Sequence, residues 1–502
     1  MYELERRVGK LTSLLEVARA LTAERDLDRL LEIVIAEAAR IVDAERCTLY
    51  LVDRNAGQLW SKIAQGPGGE VRVPLGVGVA GYVARVGQLV NLSNPSSDPR
   101  FDRNMDRGGG PEPRSLLCVP MKSPRGEVIG VIVAVNKRAG AFDAQDEELL
   151  EVLAGQVAVA TENAHLYGEI ERLFDGFVRA AVVAIESRDP STAGHSQRVA
   201  DLTLALMDAV EQGARGPWAG RVFTADERIS LRYAALLHDF GKVGVREQVL
   251  TKANKLFPWE MEVLELRFQY AKKSLEAESL KRRIHLLRTG AGQSAIEREE
   301  SACQAQLQEL DAMFDFVRSC NRPAVLSGGG FERLREVRRR FYRGPDGKEQ
   351  PLLSDAEVER LSIQRGSLSP DELREIQSHV SHTVRFLNQI PWTSQLRRVP
   401  DIAAGHHERL DGSGYPLGLL APQIGIEARM MAIADVYDAL TAADRPYKKA
   451  VPHDSALRIL QTEVDGGRMD AELFRLFVEA EVPIRVLGRE VLLQGRNSWP
   501  LK

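Results

Sequence analysis

Nine histidines occur in 502 residues, and five of them stand in patterned surroundings between residues 195 and 407. His406 and His407 are adjacent at the end of a short apolar segment that begins after Pro400. Glu408 and Asp411 follow them, and Gly412 and Gly414 break any helix before Tyr415-Pro416. His238-Asp239 ends an apolar helix expected over Ile229–Leu237 and closed by Gly241 and Gly244. His379 sits on a helix opened by Ser369-Pro370, a capping serine with proline in the first position. His195 leads a helix running through Val199, Leu202 and Leu206, with Ser191 or Thr192 as its expected cap. Asp435 falls inside an apolar helix expected over Ala428–Ala443.

One buried histidine is more often a satisfied core residue than a ligand. Five of them with two aspartates, each at a helix end or on an apolar helix face, need a common explanation. Imidazole and carboxylate together suit iron, manganese or zinc, and an aspartate can bridge two ions. Two such ions on the order of 3.5–4 Å apart clamp a phosphodiester for in-line attack. That chemistry needs no serine or cysteine nucleophile, and none stands out here.

The chain that must position these groups is long enough for two or three domains with their own cores. Hydrophobic content of 44% with 27% charged residues is ordinary for a globular protein. A net charge of −4 argues against nucleic-acid binding through bulk positive charge. Cys47, Cys118, Cys303 and Cys320 are scattered without a C-x-x-C pair, which fits a reducing compartment and argues against a cysteine-built zinc site. The charged start, Met-Tyr-Glu-Leu-Glu-Arg-Arg, has no apolar stretch behind it, and no run of about 18 apolar residues occurs. A cytoplasmic protein without membrane contact is therefore expected.

The first third reads as α+β. Residues 1–45 are expected to be helical, with Leu4, Val8, Leu11 and Leu15 as a short seam and Asp26 as a cap. Strands are expected over Cys47–Val52, Gln58–Ala64, Glu70–Leu75, Leu116–Met121 and Glu127–Asn136, giving an antiparallel sheet. Gly76-x-Gly78-x-x-Gly81 matches a dinucleotide fingerprint, but it lacks a βαβ context and is read as a turn.

Beyond the sheet, Leu150, Leu153, Val157, Ala160, Ala164, Tyr167 and Phe174 repeat at steps of three and four, a heptad seam. This predicts a connector over 150–178 and a parallel homodimer that passes a rotation or register change downstream. Two long charged helices, Phe257–Arg288 and Gln293–Arg318, flank Gly290-Ala-Gly292 and predict an antiparallel hairpin. Arg333–Arg343 holds six arginines in eleven residues, read as a solvated helix face. Ser455–Glu479 is expected to be amphipathic helix and Ile484–Gln494 a short hairpin or strand.

Two resemblances extend this reading. The order helix, hairpin, glycine-rich turn, helix, hairpin, exit helix resembles a GAF sensor domain over residues 10–165. Within it Asn136-Lys137, Phe142 and Asp146-Glu147 match a pattern of cyclic-nucleotide-binding GAF domains. The same pattern ties the last strand to the exit helix in GAF domains that bind no nucleotide. Structure is the preferred reading, and the GAF ligand is left unassigned.

His238-Asp239-x-Gly241-Lys242 and His406-His407-Glu408-x-x-Asp411-Gly412-x-Gly414-Tyr415-Pro416 resemble the HD-GYP branch of the HD phosphohydrolases over roughly 170–480. Asp435-Val-Tyr-Asp438-Ala-Leu-Thr441 and Asp444-Arg445-Pro446-Tyr447-Lys448 match its later motif. The resemblance implies an all-α metal-dependent hydrolase acting on cyclic di-GMP to give the linear dinucleotide or GMP. A mixed cyclic dinucleotide such as cyclic GMP-AMP, or binding without turnover, are the alternatives.

Carried over by position, the metal ligands would be His195, His238, Asp239, His379, His406, His407 and Asp435, with Asp239 bridging. Lys242 would join Asp239 in catalysis by holding a phosphate oxygen. Gly414, Tyr415, Pro416, Asp438, Arg445 and Lys448 would contact substrate, Arg445 and Lys448 at its phosphates. The cofactor implied is two divalent ions, iron or manganese, with zinc as the third candidate.

Members with a third ion place a glutamate where this chain has Ser191, which favours two. His382, one turn from His379, is read as surface. A second departure is an insertion at about 258–368, between Lys242 and the helix of His379. The domains expected are therefore 1–150 GAF-like, 150–178 connector, 179–480 hydrolase with that insertion, and 481–502 tail.

Overall fold

The computed structural model describes residues 27–61, 71–106, 113–189, 193–323, 328–442 and 450–488. The expected N-terminal seam at Leu4–Leu15 lies outside them. Packing divides the chain after Gly176 into two units.

In the first unit α1 (Leu27–Ile41) precedes β1 (Ala44–Asp53), β2 (Gln58–Ser61) and β3 (Val71–Pro74). Then come α2 (Gly78–Val86), β4 (Val90–Leu92), β5 (Leu116–Lys122), β6 (Val128–Lys137) and α3 (Ala144–Arg188). The six strands form one antiparallel sheet in the order β3-β2-β1-β6-β5-β4. β4 was not expected, because three residues are too short to show a period. One apolar layer joins the sheet to α1 and α3 through Leu30, Val34, Leu117, Ile132, Leu150 and Val157. The other joins it to α2 through Val79, Val83, Leu59 and Val131. Gly81 has its place because a Cβ there would lie 2.6 Å from the carbonyl oxygen of Pro74. The fingerprint glycines thus serve a tight strand-to-helix turn.

The heptad seam needs correction. Leu150, Leu153, Val157, Ala160 and Ala164 are all buried, so the first part of the expected seam is core of the first unit. α3 instead leaves a different stripe exposed: Val152, Val159, Leu166, Ile170 and Leu173. Both stripes have the same period; burial against the sheet decides which one remains free.

In the second unit α4 (His195–Gly213), α5 (Ala225–Leu237), α6 (Glu247–Leu250), α7 (Pro258–Arg288), α8 (Gln293–Cys320) and α9 (Gly328–Arg338) come first. A small hairpin, β7 (Phe341–Arg343) with β8 (Glu349–Pro351), leads to α10 (Asp355–Leu361) and α11 (Pro370–Leu387). The chain closes with α12 (Val399–Ala404), α13 (Ile426–Thr441), α14 (His453–Asp465), α15 (Ala471–Glu479) and α16 (Val482–Leu487).

The insertion has a core of its own, built by Leu256, Leu264, Phe268, Val317, Leu334, Leu352 and Leu361. Its arginine run is not one helical face: the helix stops at Arg338 and the chain turns into β7. Arg335 pairs with Glu332, Arg338 with Asp355 and Arg340 with Glu309, which spends much of the run inside the insertion. Gly466-Gly467 splits the expected tail helix in two. Residues 484–487, where the expected hairpin or strand begins, are helical, and 489–502 lie outside the described residues.

Candidate metal centre

Each predicted ligand is set by a local device. Thr224 and Glu227 form a capping box that starts α5, and His238 stands at its C-terminal end. Asp239 then opens a 3-10 turn over Phe240–Gly244. Ser369 and Glu372 box the start of α11, which carries His379. His406 and His407 follow α12, and Asp435 lies on α13. Gly194, with φ 67°, caps α4 just before His195, where Ser191 or Thr192 was expected; those two lie outside the described residues.

The 3-10 turn rests directly on α11. A Cβ on Gly241 would sit 1.8 Å from the carbonyl oxygen of His379, so only glycine permits that approach. Thr383, one turn beyond His379, locks the contact: its Oγ1 accepts from Gly241 N at 2.8 Å and donates to His238 O at 2.9 Å. Sequence reasoning missed Thr383, although its four-residue spacing from His379 places both on one helix face.

The seven predicted ligands converge. His195 Nε2 lies 3.2 Å from Asp435 Oδ1 and 3.7 Å from Asp239 Oδ2. His238 Nε2 is 3.5 Å from Asp239 Oδ2 and 3.7 Å from Asp435 Oδ1. His379 Nε2 is 3.3 Å from Asp239 Oδ1. The rings of His406 and His407 are 4.0 Å apart, and His407 Nδ1 is 4.0 Å from Asp435 Oδ2. His195, His238 and Asp435 form one set of mutually close donor atoms, and His379, His406 and His407 another. Asp239 stands between them, with Oδ1 toward His379 and Oδ2 toward His195 and His238.

Whether this set fits cations is decided by three nitrogens. His238, His379 and His406 each have Nδ1 against the carbonyl oxygen three residues back, on Ala235, Ile376 and Ala403, at 2.7, 2.6 and 2.6 Å. A carbonyl only accepts, so each Nδ1 carries the proton and each Nε2 presents a lone pair. All three Nε2 atoms are buried without a hydrogen-bond partner. Lone pairs of His238 and His379 facing carboxylate oxygens at 3.3–3.5 Å repel unless a cation sits among them. The residues fit divalent metal.

Electrostatics agree. Burial and the neighbouring imidazoles hold His406 well below the ordinary histidine range, and burial lowers His407 to about 4. Both are neutral ligands at pH 7. Burial opposes the charge on Asp239, but the Lys242 ammonium outweighs it and holds the carboxyl low. Asp435 is held low against burial by its hydrogen bond from His195. Burial opposes protonation of His195, yet Asp435 and Asp438 raise it to about 9, so an ion held there would take the place of its Nε2 proton.

Lys242 Nζ lies 2.8 Å from Asp239 Oδ2 and 3.5 Å from Asp189 Oδ2. Burial works against its charge, and these two carboxylates prevail and keep it an ammonium. Asp189 is a second residue that sequence reasoning missed.

Asp438, expected among the substrate contacts, has another place. It is 1% exposed, with Oδ2 at 2.8 Å from His195 Nδ1 and Oδ1 at 2.7 Å from Arg198 Nε. It orients His195 from behind, as a carboxylate behind a ligating imidazole does. Its three-residue offset from Asp435 puts both on the face of α13 that meets His195.

Tyr415 packs over His407, ring centroids 4.7 Å apart, and is 6.5 Å from His379. Buried Glu408 shapes this loop by accepting from Leu417 N at 2.7 Å and Leu419 N at 2.8 Å. Gly414 is required because a Cβ would come within 2.4 Å of Arg409 N. Pro416 follows Tyr415 through a cis peptide. Among the seven, His407 alone has a side chain exposed by as much as 26%, so the cluster opens toward His407 and Tyr415. Arg445 and Lys448 lie outside the described residues. His382 is half-buried beside Gly244 and belongs to none of the sets of mutually close donor atoms.

The GAF domain family matches residues 26–161, and the HD domain family residues 356–473. The HD match contains His379, His406, His407 and Asp435; His195 and His238-Asp239 lie beyond the insertion on its N-terminal side. A probable 3',5'-cyclic phosphodiesterase of Caenorhabditis elegans is 35% identical over 173 residues, 32% of this chain and 24% of that protein. A cyclic di-GMP phosphodiesterase of Pseudomonas aeruginosa is 41% identical over 130 residues, 26% of this chain and 30% of that protein. The chain thus spans under a third of either relative. A solved GAF domain from a Coxiella burnetii phosphoenolpyruvate-protein phosphotransferase is 22% identical, covering 32% of this chain and 96% of that one, TM-score 0.30. No helix among the described residues is long and apolar enough to cross a membrane.

Proposed function

From the premise that this chain belongs to the GAF–HD proteins of the HD-GYP branch, we propose that it is a metal-dependent phosphodiesterase acting on cyclic di-GMP. The carrying observation is the trio of buried Nε2 lone pairs around Asp239. One divalent ion would be held by His195, His238 and Asp435, a second by His379, His406 and His407, with Asp239 shared. Iron or manganese is favoured and zinc is the third candidate, since neutral imidazoles with carboxylates suit all three. Ions held there would neutralise phosphoryl oxygens and acidify an attacking water.

The chain's own groups do the rest. Lys242 is a fixed ammonium beside Asp239 and is placed to meet a phosphate oxygen as a point charge. Tyr415, over His407, forms the wall against which a base can stack at the open edge. Gly414 and Pro416 set the loop that presents it. Arg445 and Lys448 complete the phosphate contacts in this reading.

The GAF ligand stays unassigned. The homodimer is retained on the corrected seam: Val152, Val159, Leu166 and Leu173 fall at seven-residue steps, Ile170 fills the alternate position, and exposed Asn163 stands between them. A polar asparagine in that alternate position suits a parallel two-stranded coil. Leu166→Glu should then weaken association in sedimentation.

The substrate is tested with full-length protein purified anaerobically and loaded with iron or manganese, and with products resolved by chromatography. Cyclic di-GMP consumed faster than cyclic GMP-AMP, cyclic GMP or cyclic AMP supports the reading, and the product identifies linear pGpG or GMP. Faster turnover of cyclic GMP or AMP would shift the substrate toward that in the nematode relative's name. Tight binding of cyclic di-GMP without hydrolysis by any metal form would make the protein a receptor.

A further inference from the structure

The long first helix of the insertion has two apolar faces. Leu264, Phe268 and Ala271 on one face enter the insertion's core. On the other, Trp259, Val263, Leu266, Tyr270, Leu280, Ile284 and Leu287 are 59, 48, 63, 40, 53, 48 and 63% exposed. With Lys273 and Ala277, also exposed, these positions step by four and three without interruption along the whole of α7. A helix in water with a polar outer face needs no such repeat, and an apolar stripe of this length, with Lys273 as its one charged position, marks a binding surface. The period specifies a second helix as the occupant, because knobs every 3.5 residues fit holes of the same repeat.

The residues also select the partner and its direction. Parallel self-pairing would stack Lys273 on Lys273 of the second copy and put two like charges in the seam. Antiparallel pairing sets Val263 against Leu287, Leu266 against Ile284, Tyr270 against Leu280, and Lys273 against Ala277. It also brings Glu262 beside Arg283 of the second copy, an opposite-charge pair at the flank. Along its first half, α7 forms one wall of a groove of about 800 Å³ whose other wall holds Tyr342 and Pro345. Antiparallel pairing lays the smaller second-half residues, Leu280 and Ile284, into that groove. The arrangement is self-complementary about a two-fold axis, as an isologous contact must be.

We propose that two copies of this chain associate through the outer face of α7, paired antiparallel with Leu266 against Ile284. The contact belongs to the insertion, and it stands or falls independently of the metal centre and of the substrate.

Cysteines introduced at exposed positions read the register in the full-length protein. The four native cysteines are buried and give little background. Under copper–phenanthroline oxidation, L266C/I284C is expected to give a disulfide-linked dimer on denaturing gels, while neither L266C nor I284C does so alone. Within one chain the two positions are about 27 Å apart along the helix, beyond any intramolecular bridge. In parallel, Leu266→Glu should lower the association state in sedimentation while metal content stays at the parent level, which shows that the hydrolase domain is folded. Single variants that cross-link as well as the double would overturn the antiparallel register. No cross-link in any variant, with unchanged sedimentation of L266E, would overturn self-association through α7 and give the face to a different partner.

Discussion

In the first unit, Asn136 and Lys137 at the end of β6 spend their polar atoms inside the fold. Asn136 accepts from Arg114 N at 2.7 Å and donates to Glu45 at 2.8 Å, and Lys137 Nζ pairs with Asp146 at the start of α3. In the second unit, His238, His379 and His406 do half of this. Each satisfies Nδ1 on its own helix and leaves Nε2 buried and unpaired beside carboxylates. Both clusters are buried and polar, and both lie in recognisable motifs. The first closes a strand onto a helix, whereas the second has an electrostatic deficit that a cation removes. A motif's polar residues become a ligand site when the fold leaves them a lone pair that it does not itself use.

The contrast can be broken by substitution. Asp239→Ala should have the largest effect, because the carboxylate shared by both sets of imidazoles is lost. Metal content should collapse and turnover fall by roughly 10³-fold, the scale of removing a central electrostatic group. Normal metal and rate in that variant would remove the bridging role.

Lys137→Met should act only on the first unit. It removes the cation paired with Asp146, 1% exposed at its side chain, and breaking a buried pair costs about 3–5 kcal/mol. Thermal unfolding of the first unit should shift down while metal per chain is unchanged. Loss of metal in this variant would show that the two clusters are not separable.

Asp438→Asn sharpens the reassignment of that residue. As the partner of His195 Nδ1 it should weaken metal affinity by about 10–100-fold, the usual cost of losing an orienting carboxylate. The Michaelis constant at saturating metal should hold. A rise in the Michaelis constant with normal metal affinity would return Asp438 to the substrate. Tyr415→Ala should give the smallest change, a higher Michaelis constant with metal retained, because Tyr415 touches His407 from the open edge without offering a ligand.

The ligands were legible because their types are few and each stands at a helix end whose cap is written nearby, as with Ser369 and Glu372 before His379. Thr383 and Asp189 were not, since a threonine on a helix and an aspartate before a proline have many ordinary uses. Asp438 was read as a substrate contact because spacing places it on the right face of α13 but cannot say whether His195 or the ligand meets it. The connector shows the same limit: α3 carries two apolar stripes of one period, and only the position of the sheet reveals which is consumed. On α7 the outer stripe was hidden among charges, and only its exposure in the fold sets it apart from the core-facing positions.

The central claim is that the His/Asp cluster holds two divalent ions. The direct test is metal per chain, by mass spectrometry on anaerobically purified full-length protein, for the parent and for His406→Ala. The account predicts about two ions in the parent and a clear loss in the variant, with cyclic di-GMP turnover falling in step. A parent that takes up no iron, manganese or zinc under loading, or a variant that keeps the full complement, would contradict it.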